Sequence, residues 1–529
     1  MPESCPPPVV GARCPGWHVI VFFLLSALAM GIFIQAGGAF SSDLGGDPDE
    51  AAHAVTALMV RDYLMEGLGW PPMKFARTYY DDFPRVALGH YPPLYYLLAA
   101  PPLMPQPSVK VLLVLQALTL AGLATLTYVI GGRMLSRPLA AAAGLGLLAL
   151  PVALKLALHV MSDILLALFC LWAALLWAWY LRAPSVRRAL VWGCVAAAAI
   201  LTKGSGMGLC LLPPLGTLLA RRWRLVFSWS WWCAALPVAL LAGPWMLYSA
   251  KISQEGMTQL SPAQYFLEAV PFHLKALPTV FGWPLTVFAT LGLIAAVVAA
   301  CRRKLSLSPE AASLAAMFCG ILLVLLLVPV GLSTRYMLTL APPVMLLAAA
   351  WLNAFSVAQC MKAVVMLVAS FAALYQAGAI PCKEVHGFTS AVARSQTTAP
   401  DNAKDHWLVA SDPRGEGAII AAAAFGLNKR APSPLRVLRG SKILSTSDWM
   451  GRGYTLTAKT EAEMLALLDK ENVTRVFVDL SLPEPQRPAH LQLLLSTMQS
   501  GDPRWKPSFE EPVTRDARKK GTLLVYQRS

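Results

Sequence analysis

The sequence is poor in charged residues, and above all in acidic ones. Only 14% of its 529 residues are Asp, Glu, Lys or Arg, and the 29 acidic residues are outnumbered by 44 basic ones. Apolar residues make up 56% of the chain, which is more than a soluble fold of this length uses. This composition excludes an ordinary soluble protein and predicts a membrane protein.

Cysteine chemistry and nucleotide-binding motifs are also missing. None of the 10 cysteines forms a Cys-x-x-Cys pair or has plausible zinc partners. Most lie inside apolar runs, where cysteine is a small packing residue: Cys170, Cys194, Cys210, Cys233, Cys301, Cys319 and Cys360. The "GEG" of residues 415–417 lacks the further glycine spacing and the acidic partner of a dinucleotide site. The sequence therefore predicts neither a zinc site nor a dinucleotide site.

The basic residues lie in short clusters between apolar runs. The net charge of +15 would suit nucleic acid, but four loops, "GGRMLSRP", "LRAPSVRR", "ARRWR" and "CRRK", hold eleven Arg or Lys and no acidic residue. This is the pattern of cytoplasmic loops in membrane proteins. We expect all four loops in the cytoplasm and no nucleic-acid partner.

About eleven apolar runs are each near the ~20 residues that a helix needs to cross a bilayer. They lie near 18–38, 108–132, 138–157, 161–181, 189–203, 206–220, 225–248, 278–300, 311–331, 334–355 and 361–380. The expected fold class is thus a polytopic α-helical membrane protein. The basic loops place the N-terminus in the cytoplasm, and residues 39–107, the loop 249–277 and everything after 380 outside. A cleavable signal peptide is an alternative for the first run, because "AGGAF" offers small residues, and it leaves the remaining topology unchanged.

The composition changes after residue 380. The segments "TRVFVDL" and "GTLLVYQRS" are typical of short strands, whereas "EAEMLALLDKE" and "PAHLQLLLSTM" have the helical period. We expect a soluble extracytoplasmic α/β domain of roughly 140 residues over 381–529, the size of a single domain. Residues 1–380 would form the transmembrane domain, with residues 39–107 as its first outer loop.

Ionisable residues gather on the outer face of this topology. The ones concerned are Asp47, Asp49, Glu50, His53, Arg85 and His90 in the first outer loop, and Lys155, His159, Asp163, Lys203 and Arg335 at outer turns. Ionisable groups at membrane depth are costly, and they usually face a cavity that uses them. A carboxylate there can act as general base toward an acceptor hydroxyl or amine, while Lys and Arg suit a phosphate that leaves with developing charge. A sugar carried on a lipid phosphate would present that phosphate at this depth.

Five motifs occur in one order along the membrane region: "DPDEAAHAV", "GHYPPLYYLL", "MSDILLALF", "LTKGSG" and "STRYMLTLAPP". In that order they resemble the bacterial GT-C glycosyltransferases related to protein O-mannosyltransferases and lipid A aminoarabinose transferases. The resemblance covers roughly residues 18–355. The HPPL-type motif of the family is one residue longer here, as "HYPPL", and the helical region that follows it is shorter.

The resemblance implies a GT-C fold, a polyprenyl-phosphate sugar donor and inversion at the anomeric carbon. The family carries an Asp-Glu pair in the first outer loop, and its Asp is the presumed base. The matching residues are Asp49 as catalytic base and Glu50 as its helper. We expect Lys203 and Arg335 to hold the donor phosphate. Further substrate-binding candidates are Arg85, His90, Asp163 and Tyr336.

Each assignment has a structural alternative. Asp49 and Glu50 also suit the first turn of a helix, which Asp47 would cap before Pro48. Lys203 and Arg335 could extend toward the interface, and Asp163 could cap a span. Tyr95, Tyr96 and Tyr336 fit an interfacial aromatic belt. His53 could bind a divalent metal ion together with Asp49 or be a polar residue on a surface helix.

The sequence as a whole predicts a multi-pass glycosyltransferase of the inner (plasma) membrane. Its donor would be a polyprenyl-phosphate sugar and its acceptor an envelope lipid, glycan or protein, with membrane lipids around it. The scheme requires no tightly bound cofactor, although the carboxylates would accept a divalent cation. A transporter or flippase for a lipid-linked sugar is the alternative, but the sequence shows no obvious repeat of two halves. A scaffold without activity is a third hypothesis, in which the charged residues would be dispensable.

Overall fold

The computed structural model describes residues 16–301, 307–397, 405–427, 433–448, 451–516 and 519–529. Helices build the described residues between 16 and 376: α1 (Gly16–Ala36), α2 (Pro48–Asp62), α3 (Pro72–Asp82), α4 (Leu94–Leu103), α5 (Val109–Gly131), α6 (Arg137–Leu148), α7 (Pro151–Ala157), α8 (Asp163–Arg182), α9 (Val186–Thr202), α10 (Leu212–Leu219), α11 (Trp229–Trp232), α12 (Ala235–Pro237), α13 (Gly243–Glu255), α14 (Pro262–Phe281), α15 (Trp283–Cys301), α16 (Pro309–Leu327), α17 (Ala341–Asn353) and α18 (Gln359–Gln376). Short 3-10 or π-helical turns join several of them: Ala39–Ser41, Tyr63–Gly67, Gly204–Leu211, Trp223–Phe227, Val238–Ala242 and Thr334–Leu340.

Seven helical stretches among the described residues are long and apolar enough to cross a membrane, or nine if each of two bent pairs is one span. By this criterion the described residues contain fewer spans than the eleven expected from the sequence. The stretch expected at 189–203 forms α9 with 17 residues, and the stretch expected at 206–220 divides into a 3-10 turn and the 8-residue α10. The span expected at 278–300 includes the last residues of α14 and most of α15. These two helices meet at an angle of 118°, and Gly282 between them has a φ of +76°. Hydropathy detects apolar runs but not the breaks inside them.

The segment expected as the first outer loop, residues 39–107, contains α2, which is a largely buried helix. Asp47 is its N-cap and accepts a hydrogen bond from the Asp49 N–H, and Pro48 occupies the first turn, where its missing N–H costs nothing. The helix packs against α4 on the membrane side and against α20 (Pro413–Gly426) of the C-terminal domain. It therefore holds its first turn between the two parts of the chain.

Beyond α18 the described residues form a C-terminal domain built around a β-sheet, and the α/β domain in the expected fold class is confirmed, while its bounds at 381–529 stay a prediction. Its elements are α19 (Phe388–Thr397), β1 (Asp405–Ala410), α20, β2 (Leu435–Arg439), α21 (Gly440–Ile443), β3 (Ser445–Thr446), β4 (Thr455–Leu456), α22 (Glu461–Lys470), β5 (Arg475–Asp479), α23 (Ala489–Gln499), β6 (Trp505–Asp516) and β7 (Lys519–Arg528), with a 3-10 turn at Glu484–Gln486. The main sheet has the order β2-β1-β5-β7-β6, in which β1 runs parallel to β2 and β5, and β7 is antiparallel to β5 and β6.

The two faces of this sheet belong to different cores. Along β1, Trp407 and Val409 pack into the hydrophobic core that continues through α20 into the membrane helices. Leu408 and Ala410 point to the other face and pack into a second core with α22 and α23. This alternation is the two-residue period of a strand. The domain is therefore fixed to the membrane part by a shared apolar core.

Candidate active site

The N-terminus of α2 is joined to the turn before α17 by an ion-pair cluster. The Oδ2 of Asp49 accepts a hydrogen bond from Nη2 of Arg335 at 2.6 Å. Nη1 of Arg335 lies 3.1 Å from both carboxylate oxygens of Asp47. The cap of the helix and the predicted base therefore share one guanidinium group.

A second ion pair lies beside the first. Nζ of Lys203, directly after α9, donates to Oδ1 of Asp163 at 2.7 Å, where α8 begins. The ring of Tyr336 lies 4.7 Å from Lys203 Nζ and 5.3 Å from the Arg335 guanidinium carbon. A ring between two cations offers its negative face to both. The structure thus brings together six predicted residues: Asp47, Asp49, Asp163, Lys203, Arg335 and Tyr336.

The Asp49 carboxyl is an ionised group in this setting. Burial raises the pKa of Asp49. The charge and hydrogen bond of Arg335 act in the opposite direction and contribute most to lowering it, so that the net pKa lies below the ordinary value. The side chain is 19% exposed and lines the cavity described below. At neutral pH it is an accessible carboxylate that is occupied on one oxygen by Arg335.

Glu50, the residue after Asp49 in α2, is fully buried. Its Oε1 accepts from Nζ of Lys383 at 2.5 Å and from the Val160 N–H at 3.3 Å. Its Oε2 accepts from the N–H groups of Gly45 and Gly46 at 3.1 and 3.2 Å. Burial raises the pKa of Glu50, but the charge of Lys383, together with His159 and the hydrogen bonds from Lys383 and Gly45, outweighs burial and lowers it. This carboxylate holds three chain segments together and has no opening toward the cavity.

Sequence reasoning missed Lys383. It follows the last span in "PCKEVHG", and its side chain is 1% exposed. The pairing crosses 333 residues of sequence, so that no local pattern indicates it.

His53 is a buried neutral histidine one turn after Asp49. Its Nδ1 lies 3.0 Å from the Tyr96 hydroxyl, and its ring packs among Tyr91, Tyr95 and Tyr96. Burial lowers its pKa to about 4 against the opposing charge of Asp49. The tyrosines therefore line the surroundings of the site and not only a lipid-facing belt.

No group of three or more His, Cys, Asp or Glu in the described residues is close enough to hold an ion. Asp47 and Asp49 are occupied by Arg335, whose positive charge stands where a cation would bind. A divalent cation at Asp49 and His53 stays a prediction.

Arg85 and His90 lie apart from the ion-pair cluster. Arg85 reaches from the first outer loop into the C-terminal domain and donates to the Pro413 carbonyl oxygen. Burial lowers the pKa of Arg85 to about 9, with a further contribution from Arg439. Burial also lowers the pKa of His90. Both residues line the same cavity as Asp49.

This interdomain cavity has a volume of about 1190 Å³ and lies between the first outer loop and the C-terminal domain. Asp49, Arg85, His90 and Tyr91 form the wall on the membrane side. The other wall contains Arg439, Lys442, Arg452, Tyr454 and His490. None of these five was predicted from the sequence; for Arg439 and Lys442 the reason is that "LRVLRGSKI" is typical of a strand followed by a basic surface loop. Asp49 stands between this cavity and the cation pair Lys203 and Arg335.

Comparison with solved structures identifies the fold. The aminoarabinose transferase ArnT from Cupriavidus metallidurans bound to undecaprenyl phosphate matches with a TM-score of 0.58 at 12% identity, covering 97% of this chain and 98% of that one. Its apo form matches with a TM-score of 0.56 at 14% identity, covering 97% of both chains. The Archaeoglobus fulgidus oligosaccharyltransferase in complex with Zn and sulfate matches with a TM-score of 0.53 at 13% identity, covering 86% and 67%.

No protein-family model and no curated protein sequence matches the chain. The likeness therefore lies in the fold, which is the GT-C fold of membrane glycosyltransferases. The resemblance expected from the order of the motifs is confirmed at this level, and so is the multi-pass membrane architecture.

Proposed function

We propose that this protein is a membrane glycosyltransferase that moves a sugar from a polyprenyl-phosphate donor to an envelope acceptor on the outer face. The observation that carries the proposal is the position of Asp49, an accessible carboxylate with a large cavity on one side and the cation pair Lys203 and Arg335 on the other. The cavity would take the acceptor, and the cation pair would take the donor phosphate. The solved GT-C neighbours, one of them bound to undecaprenyl phosphate, support this class of donor.

The reaction is a single displacement. The acceptor hydroxyl or amine gives its proton to the free oxygen of Asp49 while its lone pair attacks the anomeric carbon. The bond from that carbon to the phosphate oxygen breaks, and polyprenyl phosphate leaves with the bonding electrons. Arg335 and Lys203 stabilise the charge that develops on the phosphate. One attack from the face opposite the leaving group inverts the anomeric centre.

Arg335 also links donor binding to base strength. In the structure its guanidinium is engaged by Asp47 and Asp49. A donor phosphate that draws Arg335 away would remove the main influence that lowers the pKa of Asp49, while burial would continue to raise it. The base would then be strongest when the leaving group is in place.

The remaining predicted residues support these groups. Glu50 is proposed as a positioning residue that fixes the first turn of α2 through Lys383 and the backbone of Gly45, Gly46 and Val160. Asp163 holds Lys203, and Tyr336 spaces Lys203 from Arg335. The chain needs no further cofactor in this scheme.

The outer face is proposed from the basic loops. Arg133 and Arg182, from two of these loops, both lie near Glu310, at 3.5 and 2.6 Å. Arg182 ends α8, whereas Asp163 begins it, and a 20-residue helix is about 30 Å long. The site and the basic loops are therefore at opposite ends of the helix. With the loops in the cytoplasm, the site and the C-terminal domain lie outside an inner (plasma) membrane.

The proposal is tested with the purified full-length protein, a labelled polyprenyl-phosphate sugar and an envelope extract. The expected result is release of polyprenyl phosphate together with label in an envelope lipid, glycan or protein. A transporter would move the donor across a vesicle membrane and leave it intact. The proposal that the protein is a transferase would therefore be overturned if the donor is translocated but stays intact with every extract.

A further inference from the structure

The first turn of α2, which carries Asp49, packs against α20 of the C-terminal domain. Resting on the proposed function, we infer that Gly417 in α20 is a positioning residue, whose lack of a side chain sets the place of Asp49 relative to Arg335. The described residues that line the interdomain cavity do not include Gly417, so that it acts through α2 and not on a substrate. The C-terminal domain would then contribute to the transfer step as well as to the cavity wall.

Gly417 leaves no room for a side chain on the side of α2. A Cβ atom added to it would lie 2.9 Å from Cβ of Ala51 and 3.3 Å from Nε of Arg85. Carbon atoms in contact are normally about 3.5–4.0 Å apart, so that a methyl group here would push against α2. Ala51 is buried and comes two residues after Asp49. The push would therefore act on the helical turn that carries the base.

Glycine has no local reason to stand at this position. Gly417 lies inside α20, and its φ is outside the left-handed region that favours glycine. Within a helix, glycine is less favourable than alanine because it loses more backbone freedom on folding. The helix by itself would be more stable with alanine at 417. The close approach to α2 is thus the feature that explains the glycine.

The start of α20 is fixed to the sheet of its own domain. Asp412 caps the helix and is held by Nη1 of Arg515 in β6 at 2.8 Å. Glu416, which is fully buried, accepts from Nε of Arg439 at the end of β2 at 3.0 Å and from the Ser441 N–H at 2.8 Å. These bonds keep α20 in place. A group that fills the space between the two helices would therefore displace α2.

A second connection joins the same two helices. The Arg85 guanidinium donates to the carbonyl oxygen of Pro413, the first residue of α20. Two residues further along the chain, the Ala87 N–H donates to the hydroxyl of Thr56 in α2 at 2.9 Å. The segment 85–87 therefore holds α2 against α20, so that the two helices cannot separate freely.

The pairing of Asp49 with Arg335 leaves little tolerance for a displacement of α2. Nη2 of Arg335 lies 2.6 Å from Oδ2 of Asp49, at the short end of the range for a hydrogen bond between charged groups. Arg335 belongs to the turn before α17 and is not carried by α2. Any shift of α2 lengthens or bends this bond. A misplacement of about 1 Å in a catalytic group can cost about 10²-fold in rate.

The test compares four full-length proteins: the wild type, Gly417→Ala, Ala51→Gly and the double variant, in which the methyl group has moved from one helix to the other. Turnover is measured with the labelled donor and envelope extract. In Gly417→Ala, kcat should fall about 10- to 100-fold, while KM for the donor should change less than about threefold, because Lys203 and Arg335 lie outside both helices. The double variant should recover most of the lost kcat, since it restores the space between the helices.

The pH profile gives a second readout. Arg335 contributes most to lowering the pKa of Asp49, so that a weakened pairing in Gly417→Ala should move the acid limb of kcat/KM upward. The matched control is Gly426→Ala at the other end of α20, where the added Cβ would meet only the amide end of the Gln396 side chain. This control should have the kcat and the acid limb of the wild type.

A wild-type kcat and acid limb in Gly417→Ala would overturn the inference. A loss of kcat that the double variant does not recover would also overturn it, because the loss would then be a general folding defect. If Gly417→Ala does not fold, Ala51→Gly decides, since it removes the same contact without a clash. A lower kcat with an upward shift of the acid limb in Ala51→Gly would support the positioning role, and wild-type values would overturn it.

The same measurement separates the inference from the proposed function. A wild type that consumes no donor would overturn the proposed function and the inference together. A wild type that transfers the sugar, beside a Gly417→Ala variant that does so equally well, would overturn the inference alone.

Discussion

Nη2 of Arg335 lies 2.6 Å from Oδ2 of Asp49, so that the candidate base is held by the cation that would bind the leaving group. This pairing explains how a carboxylate in a mostly buried position stays ionised. It also means that the Asp49 carboxylate and the donor phosphate would compete for the guanidinium group of Arg335. The first two predictions follow from this competition.

Arg335→Gln removes both the phosphate ligand and the partner of Asp49. We expect kcat/KM for transfer to fall about 10²- to 10³-fold, the usual loss when one donor to a developing oxyanion is removed. Arg335→Lys should lose less, because it keeps the charge but not the two-pronged geometry. Steady-state kinetics with the labelled donor measure both. Arg224→Gln, an exposed arginine in a basic loop, is the matched control. Unchanged kcat/KM in Arg335→Gln would remove Arg335 from the mechanism.

The acid limb of the pH profile reports Asp49. Burial raises the pKa of Asp49, but Arg335 contributes most to an opposing effect that brings the pKa below its ordinary value of 3.8. The carboxyl group is therefore ionised above pH 3.8. The acid limb of kcat/KM for the free enzyme should therefore lie below pH 3.8. In Arg335→Gln the largest of the influences that lower the pKa of Asp49 is lost, and the limb should move upward. Because the pKa of Asp49 is lowered in the folded protein, the stability that its carboxylate contributes is present above the ordinary pKa and is lost as the pH falls through the lowered pKa. Folding is therefore monitored by circular dichroism at each pH of the profile. A limb that stays in place in the variant would contradict the assignment.

The buried pair of Glu50 and Lys383 should be structural. Glu50→Gln leaves the Lys383 ammonium buried without its counter-charge, and we expect a loss of about 3–5 kcal/mol in the free energy of unfolding. The double variant Glu50→Gln with Lys383→Met should recover part of it. Asp469→Asn, in exposed pairs with Arg504 and Arg528, should cost less than the buried pair, about 1 kcal/mol or below for each exposed pair. In protein that remains folded, kcat should fall with little change in KM. A thermal midpoint equal to that of the wild type would exclude the positioning role.

Two native cysteines test the orientation. Cys360 lies at the start of α18 and Cys382 lies just beyond its end, and both are exposed. The 18-residue helix separates them by about 27 Å. A membrane-impermeant maleimide added to intact cells should label Cys382, and Cys360 only after permeabilisation. The variants Cys382→Ser and Cys360→Ser identify each signal. The reverse labelling pattern would contradict the proposed orientation of the protein in the membrane.

The sequence indicated much of this site because topology restricts where polar residues can lie. Asp49 and Arg335 are 286 residues apart, yet both fall at outer ends of apolar runs, which places them on one surface. The partner of Glu50 could not be found in that way, since Lys383 is one of several cations near membrane ends. The bend at Gly282 is equally hidden, because apolar residues continue on both sides of it. Arg439 and Lys442 reach the cavity only through the docking of the C-terminal domain, which no local pattern encodes.

The most direct test of the account is the turnover of Asp49→Asn with labelled donor and envelope extract. The substitution keeps the size of the side chain and removes the proton acceptor, so that release of polyprenyl phosphate should fall about 10²- to 10⁴-fold. The protein should keep its thermal midpoint to within a few degrees, and Glu66→Gln, an exposed carboxylate of the same outer loop, should turn over normally. Turnover of Asp49→Asn at the wild-type rate would contradict the central claim that Asp49 is the base.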